Sequence, residues 1–311
     1  MAERTDATTF RTAVATAPLV AGCWSWGDTR TWGYPARFGD ADLAAAVDAL
    51  AEGGVRCFDT AEVYGRGRSE RLLGNLLAGQ DAAVSSKFFP YPWRLTSGQF
   101  RRALEAGLRR LRRDRVQLYQ LHHEVPAPLA RRWAAHLAAA RRDGLVEALG
   151  TSNLSVRALR ATAAALAEHG ERITAHQARY NLCDRRVERS GVAEFCRDNG
   201  IVLLAHSALG QGLLSGRYRA GTPMPGRRPL PEQVLRQAGP VLDLLARYAE
   251  RLDRTPAAVA LAWLRHQGAV PIVGVHNGQQ ARDAVAALTV TPTDGMLRRL
   301  DAVTRPWQGT P

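Results

Sequence analysis

Short apolar runs of strand length recur along the chain, and the stretches between them carry apolar residues every three or four positions. The first pattern reads as buried strands, the second as amphipathic helices. Strands are expected to end near Cys23, Asp59, Lys87, Leu121, Ser152, Gln177, Ala205 and Ile272. The helical stripes are Leu43, Val47 and Leu50, then Phe100, Leu104, Leu108 and Leu111, then Leu129, Trp133 and Leu137. They continue with Val156, Leu159, Ala163 and Leu166, and with Ala281, Val285 and Leu288.

Strands joined by helices run parallel, and eight of them predict an α/β fold closed into a (β/α)8 barrel, one domain over residues 1–311. An open doubly wound sheet is the alternative. That fold announces its dinucleotide site by GxGxxG after the first strand, whereas this chain reads Gly22-Cys-Trp-Ser-Trp-Gly27 there. A proline-rich segment from Arg217 to Pro231 follows the seventh strand and is expected to form a flexible cover over the barrel mouth.

Hydrophobic residues at 46% suffice for one core. A net charge of +13 raises the question of nucleic acid, but the arginines pair on polar helix faces, as at Arg101 and Arg102 or Arg141 and Arg142. No recognition motif accompanies them, so the partner expected is a small molecule. Cys23, Cys57, Cys183 and Cys196 show neither CxxC spacing nor nearby histidines, which argues for reduced thiols and no metal. The amino terminus lacks the charged-then-apolar order of a signal peptide, and no apolar stretch is long enough for a membrane span. A cytoplasmic protein is expected. No stripe points to an oligomeric interface.

Of the 42 lysines and arginines, only Lys87 is a lysine. Arginine does not shed its proton and is too broad for a compact ammonium site, so a lysine kept alone at a strand end points to acid–base or electrostatic work. Asp59, His122 and Tyr64 fall at or just beyond neighbouring strand ends, where a parallel barrel keeps its chemistry. Singly, each is as well explained by capping or packing. Together they describe a site in which Asp59 holds Lys87, Lys87 lowers the phenol pKa of Tyr64, and His122 and Tyr64 grip one carbonyl oxygen.

These residues sit in motifs that resemble the aldo-keto reductases: Asp59-Thr-Ala-Glu-Val-Tyr-Gly65, Ser86-Lys87-Phe88, Leu118-Tyr-Gln-Leu-His122, Leu149-Gly-Thr-Ser-Asn153, Gln177-Ala-Arg-Tyr-Asn181, Ser207 through Arg217, and Pro271-Ile-Val-Gly274. The resemblance runs over nearly the whole chain and is nearest to bacterial and plant members. It implies a catalytic tetrad of Asp59, Tyr64, Lys87 and His122, with Tyr64 as proton donor. It implies a nicotinamide cofactor, NADPH with NADH as the alternative, its carboxamide on Ser152, Asn153 and Gln177 and its pyrophosphate wrapped by Ser207, Leu209, Gly212 and Arg217. Gly22, Cys23 and Trp24 after the first strand, and Gly274, His276, Gln280 and Asp283 after the last, are the further cofactor candidates. The chain departs from the family in having His206 where tyrosine commonly stacks on the nicotinamide. It also has His276 and Arg282 where a lysine or arginine usually takes the 2′-phosphate.

Aromatic residues crowd two loops of the mouth. Trp24, Trp26, Trp32 and Tyr34 follow the first strand, and Phe88, Phe89, Tyr91 and Trp93 follow the third. Trp26, Trp32, Phe88, Trp93 and His123 are the substrate contacts expected, and the rim suits a bulky or glycosylated carbonyl compound. The function implied is reversible reduction of an aldehyde or ketone to an alcohol. Two alternatives remain: a slow-turnover nicotinamide-binding regulatory subunit, and a lyase or isomerase barrel in which Lys87 forms a Schiff base.

Overall fold

The computed structural model describes residues 9–221 and 230–308. Eight strands form a closed parallel barrel in chain order: β1 (Val20–Gly22), β2 (Cys57–Asp59), β3 (Ala83–Phe88), β4 (Val116–Leu121), β5 (Val146–Ser152), β6 (Ile173–Arg179), β7 (Val202–His206) and β8 (Ala269–Gly274). The expected strand ends fall within two residues of these. The predicted cover over the mouth spans residues 217–231, and its middle, 222–229, lies outside the described residues.

Helices pack around the barrel wall. In chain order they are α1 (Phe10–Thr16), α2 (Asp40–Glu52), α3 (Arg68–Leu76), α4 (Ser97–Leu111), α5 (Ala127–Arg142), α6 (Val156–Ala167), α7 (Arg186–Arg189), α8 (Val192–Asp198), α9 (Glu232–Leu252), α10 (Pro256–His266), α11 (Gly278–Ala286) and α12 (Asp294–Thr304). The stripe on α4 explains its placement, since Phe100, Leu104, Leu108 and Leu111 are all buried while Arg101, Arg102 and Arg109 are exposed. Thr96 caps the helix by accepting from Gln99 N–H, and Gln99 returns the bond to Thr96 N–H.

Side chains alternate across each strand, so residues two apart share the barrel interior. Val20, Cys57, Ala83, Leu118, Ala175, Leu204, Val270 and Ile272 fill its lower layers. From below, α1 inserts Phe10, Ala13 and Val14 into the same cluster and closes the floor. This helix is absent from the sequence reading: seven residues give too little periodicity to be recognised. Burying a phenylalanine such as Phe10 contributes about 1.5–3 kcal/mol. The upper interior is polar, holding Asp59, Ser85, Lys87, Gln120 and Gln177, all nearly inaccessible.

The opposite alternation sends His176 outward into the helix layer, fully buried, its Nδ1 paired with Thr151 Oγ1 at 2.8 Å. Burial, with a smaller push from His206, lowers its imidazole pKa to about 3. The unfolded chain takes up that proton near pH 6.5 and the folded one does not, so this group makes stability fall as pH drops below about 6.5. His176→Asn keeps a partner for Thr151 and removes the titration. Urea denaturation is expected to show the wild type's stability relative to this variant shrinking by about 3 kcal/mol between about pH 7 and about pH 4. A difference independent of pH would contradict the burial argument.

Candidate active site

Asp59 ends β2 in the upper barrel interior, and four side chains from three other strands donate to it. Oδ1 accepts from Ser85 Oγ at 3.0 Å, Gln120 Nε2 at 3.2 Å and Gln177 Nε2 at 3.1 Å. Oδ2 accepts from Lys87 Nζ at 2.5 Å. Gln177 reaches it across the barrel from β6. Lys87 Nζ also donates to Thr60 O at 2.8 Å and lies 3.4 Å from Tyr64 Oη. Burial alone pulls the ammonium's pKa down, but Asp59 and Tyr64 more than reverse this and leave it above the usual lysine value. Lys87 is therefore a charged, fully enclosed cation.

Tyr64 stands at the start of a 3-10 turn (Tyr64–Gly67) beyond β2. Gly65 allows this turn, with φ of +54° and only 3.0 Å between an added Cβ and Gly27 O. The phenol departs from expectation. Lys87 does favour the phenolate, by charge and by hydrogen bond, yet burial pushes harder the other way and the net shift is upward. The resting site holds a protonated phenol beside a cation. His122 follows β4, its ring edge-on to Tyr64 at 5.8 Å between centroids. Burial, then Lys87, hold its imidazole at about 2, so it is neutral. Its Nδ1 is buried with no partner.

The cofactor candidates divide. Ser152 ends β5 fully buried, and its Oγ accepts from Asn153 Nδ2 at 2.9 Å. Gln177 meets them at the mouth through β6, directly paired with Ser152 in the sheet register. Beyond β7, Ser207 has φ of +54°, and Gly210, Gln211 and Gly212 carry φ of +57°, +59° and +95° in succession. This run folds back on itself, Gly210 N–H donating to Ser207 O and Gly212 N–H to Leu209 O, and it leaves Leu209 half-buried and Arg217 exposed, the latter a cation a pyrophosphate could use. Gly22 and Gly274 pair across the β1–β8 seam. An added Cβ on Gly274 would meet only Gly22 O, at 3.9 Å, leaving open space above it.

Several expected contacts are corrected. Cys23 packs fully buried in the core, its thiol pKa raised by burial and by Asp59, and its N–H donates to the main-chain Asp59 O at 2.8 Å. Trp26 is fully buried and donates from Nε1 to Val275 O at 3.0 Å, tying the β1 loop to the β8 loop and leaving no face for substrate. Phe88 follows inward-facing Lys87, so alternation turns it outward against Phe100 and Trp133. His276 stacks on Phe38 at 4.3 Å, with Trp32 at its edge, and burial then Arg37 and Arg217 lower its pKa to about 4. A neutral imidazole brings no charge to a phosphate. Gln280 accepts from His276 N–H, and Asp283 from Gln279, so both serve the local turn and helix.

What remains at the rim is continuous. Phe89 packs against His122 at 5.5 Å and His123 at 5.3 Å, then against Tyr91 at 4.5 Å, and Tyr91 stacks on Trp93 at 4.6 Å. Trp93 is 66% exposed. Trp24 and Trp32 meet edge to face within the loop after β1, at 5.6 Å. Glu62 fixes the β3 loop, accepting from Phe89 N–H at 2.7 Å and pairing with Arg94. Ser85, Gln120 and the Glu62–Arg94 pair are absent from the sequence reading. Counting back two residues from Lys87 and from His122 reaches the first two.

Among the described residues, no group of three His, Cys, Asp or Glu is placed to hold a metal, and no helix is long and apolar enough to cross a membrane. The site thus consists of a phenol, an ammonium, a carboxylate and a neutral imidazole beside amide and hydroxyl groups, a set suited to proton transfer at a carbonyl oxygen.

Comparison with known proteins agrees. The pyridoxal reductase of Arabidopsis thaliana chloroplasts is 35% identical over 292 residues, covering 88% of this chain and 80% of that one. The glycerol dehydrogenase structure from Gluconobacter oxydans has 24% identity and a TM-score of 0.79, covering 94% of this chain and 93% of the other. An aldo-keto reductase structure from Klebsiella pneumoniae in complex with NADPH has 24% identity and a TM-score of 0.75, covering 92% and 90%. Residues 18–305 match the sequence profile of the Aldo/keto reductase family. The chain belongs to that family and is an oxidoreductase of the nicotinamide-dependent kind, working between carbonyls and alcohols.

Proposed function

We propose that the protein is an NADPH-dependent reductase of bulky, flat carbonyl compounds in which Tyr64 supplies the proton. The observation that carries this reading is the enclosed Asp59–Lys87 pair beneath a protonated Tyr64, with a neutral His122 facing the same phenol. The chemistry left to a bound reduced nicotinamide is hydride donation to the carbonyl carbon. The chain's residues handle the oxygen. His122, neutral, orients it by an N–H bond, and Tyr64 Oη gives up its proton as negative charge gathers there. Lys87 stabilises the resulting phenolate until solvent returns the proton, while Asp59 keeps the ammonium in place. A protonated, sealed lysine has no lone pair to attack a carbonyl, which counts against the Schiff-base alternative.

Exposed Arg37 and Arg217 lie close enough to His276 to depress its pKa, and Arg282 is exposed on the first turns of α11 nearby. Three cations around this helix start favour a 2′-phosphate over a ribose hydroxyl, which supports NADPH. The strip from Phe89 to Trp93 offers ring faces to a planar substrate. The plant relative is named for reducing pyridoxal, so a pyridine aldehyde is the first compound to assay, and glycosylated carbonyl compounds follow because tryptophan and tyrosine also stack on sugar faces.

Titration by tryptophan quenching is expected to give NADPH binding about tenfold or more tighter than NADH. Equal affinities would overturn the arginine argument. Tyr64→Phe is expected to cut turnover by about a thousandfold while NADPH affinity stays within about twofold. Retention of a tenth of wild-type turnover would remove Tyr64 as donor. Tight nucleotide binding with no turnover on any carbonyl would favour the regulatory-subunit alternative.

A further inference from the structure

β5 and β7 are not neighbours in the barrel, since β6 lies between them. A side-chain bridge nonetheless joins their ends. His206 Nε2 lies 2.9 Å from Asn153 Oδ1, and His206 Nδ1 lies 3.1 Å from Ser207 Oγ. Asn153 Nδ2 points the other way, to Ser152 Oγ at 2.9 Å and His122 O at 3.3 Å. Both Asn153 and Ser207 hold left-handed backbone, with φ of +55° and +54°, a conformation that serine adopts only when its surroundings impose it.

Groups that only accept set the direction of this chain. The His122 main-chain oxygen accepts from the Asn153 amide nitrogen, so Oδ1 faces the imidazole and His206 Nε2 carries the proton. Burial, then Lys87, hold this imidazole neutral at about 4, which leaves Nδ1 bare to accept from the Ser207 hydroxyl. The order is Ser207 to His206 to Asn153 to the His122 carbonyl. It links the pyrophosphate turn, a carboxamide-binding side chain and the loop carrying the catalytic imidazole.

We propose that His206 is a positioning residue that locks the Asn153 amide in the orientation the nicotinamide carboxamide meets, and that it does so by this directed chain rather than by ring stacking alone. The inference rests on the nicotinamide reading of the site. A phenylalanine at this position keeps a flat ring and loses both bonds. A glutamine loses the ring but can still donate to Asn153 and accept from Ser207.

A double-mutant cycle in NADPH affinity tests it. His206→Phe and Asn153→Ala are each expected to weaken binding about fivefold to tenfold, and the double variant no more than either alone. His206→Gln is expected to recover most of the lost affinity. Multiplicative effects in the double variant, or wild-type affinity in His206→Phe, would overturn the proposal. The tautomer is read separately in nucleotide-free protein by 15N-histidine NMR, the His206 signals being those lost in His206→Phe. An Nε2–H pattern is expected, and an Nδ1–H pattern would overturn the chain. Failure of the wild type to bind any nucleotide, with the Nε2–H tautomer present, would instead strike the cofactor reading.

Discussion

The contact between Lys87 and Asp59 is the constraint around which the upper barrel is arranged. Taking an ammonium and a carboxylate wholly out of water costs several kcal/mol per ion, and the pair repays this only if the remaining valences are satisfied. Here Asp59 also accepts from Ser85, Gln120 and Gln177, and Lys87 also donates to Thr60 O. These partners come from β3, β4 and β6 and from the turn after β2, so the pair draws the barrel mouth into one polar network. The apolar layers below, floored by Phe10, keep water from relieving it. A cation held this way has one use left, which is to favour negative charge on the phenol 3.4 Å away.

That geometry also resolves the upward shift of the Tyr64 pKa. Burial dominates at this phenol, and a protonated phenol is what the proposed proton donor needs. The help from Lys87 is present but becomes decisive only when the proton leaves and a full charge appears at the oxygen. His122 behaves in parallel: burial removes its charge and leaves a directional donor, so the two groups proposed to meet the substrate oxygen are both neutral.

Strand ends were legible in the sequence because short apolar runs and the lone lysine mark them, and Asp59, Tyr64, Lys87 and His122 follow from their places at or just beyond those ends. Facing was harder to read. Phe88 sits one residue from Lys87 and therefore on the other side of the wall, and Trp26 reads like its exposed neighbour Trp24 although its indole N–H is tied to Val275 O. His276 looks like a phosphate ligand until Phe38, more than two hundred residues away in sequence, is found stacked on it. The floor helix left no trace because seven residues carry no period. The misses at Trp26 and His276 concern contacts made across the fold, which spacing along the chain does not encode.

Because Lys87 is the sole lysine, a protein grown with 13Cε-lysine gives a single side-chain signal, and its pH titration reads the state of the central cation directly. A signal that stays at the ammonium position up to the ordinary lysine value of 10.5 and beyond is the result this account requires. Loss of the proton below about pH 9 would contradict it, since the pair would then be too weak to hold a charge beneath Tyr64.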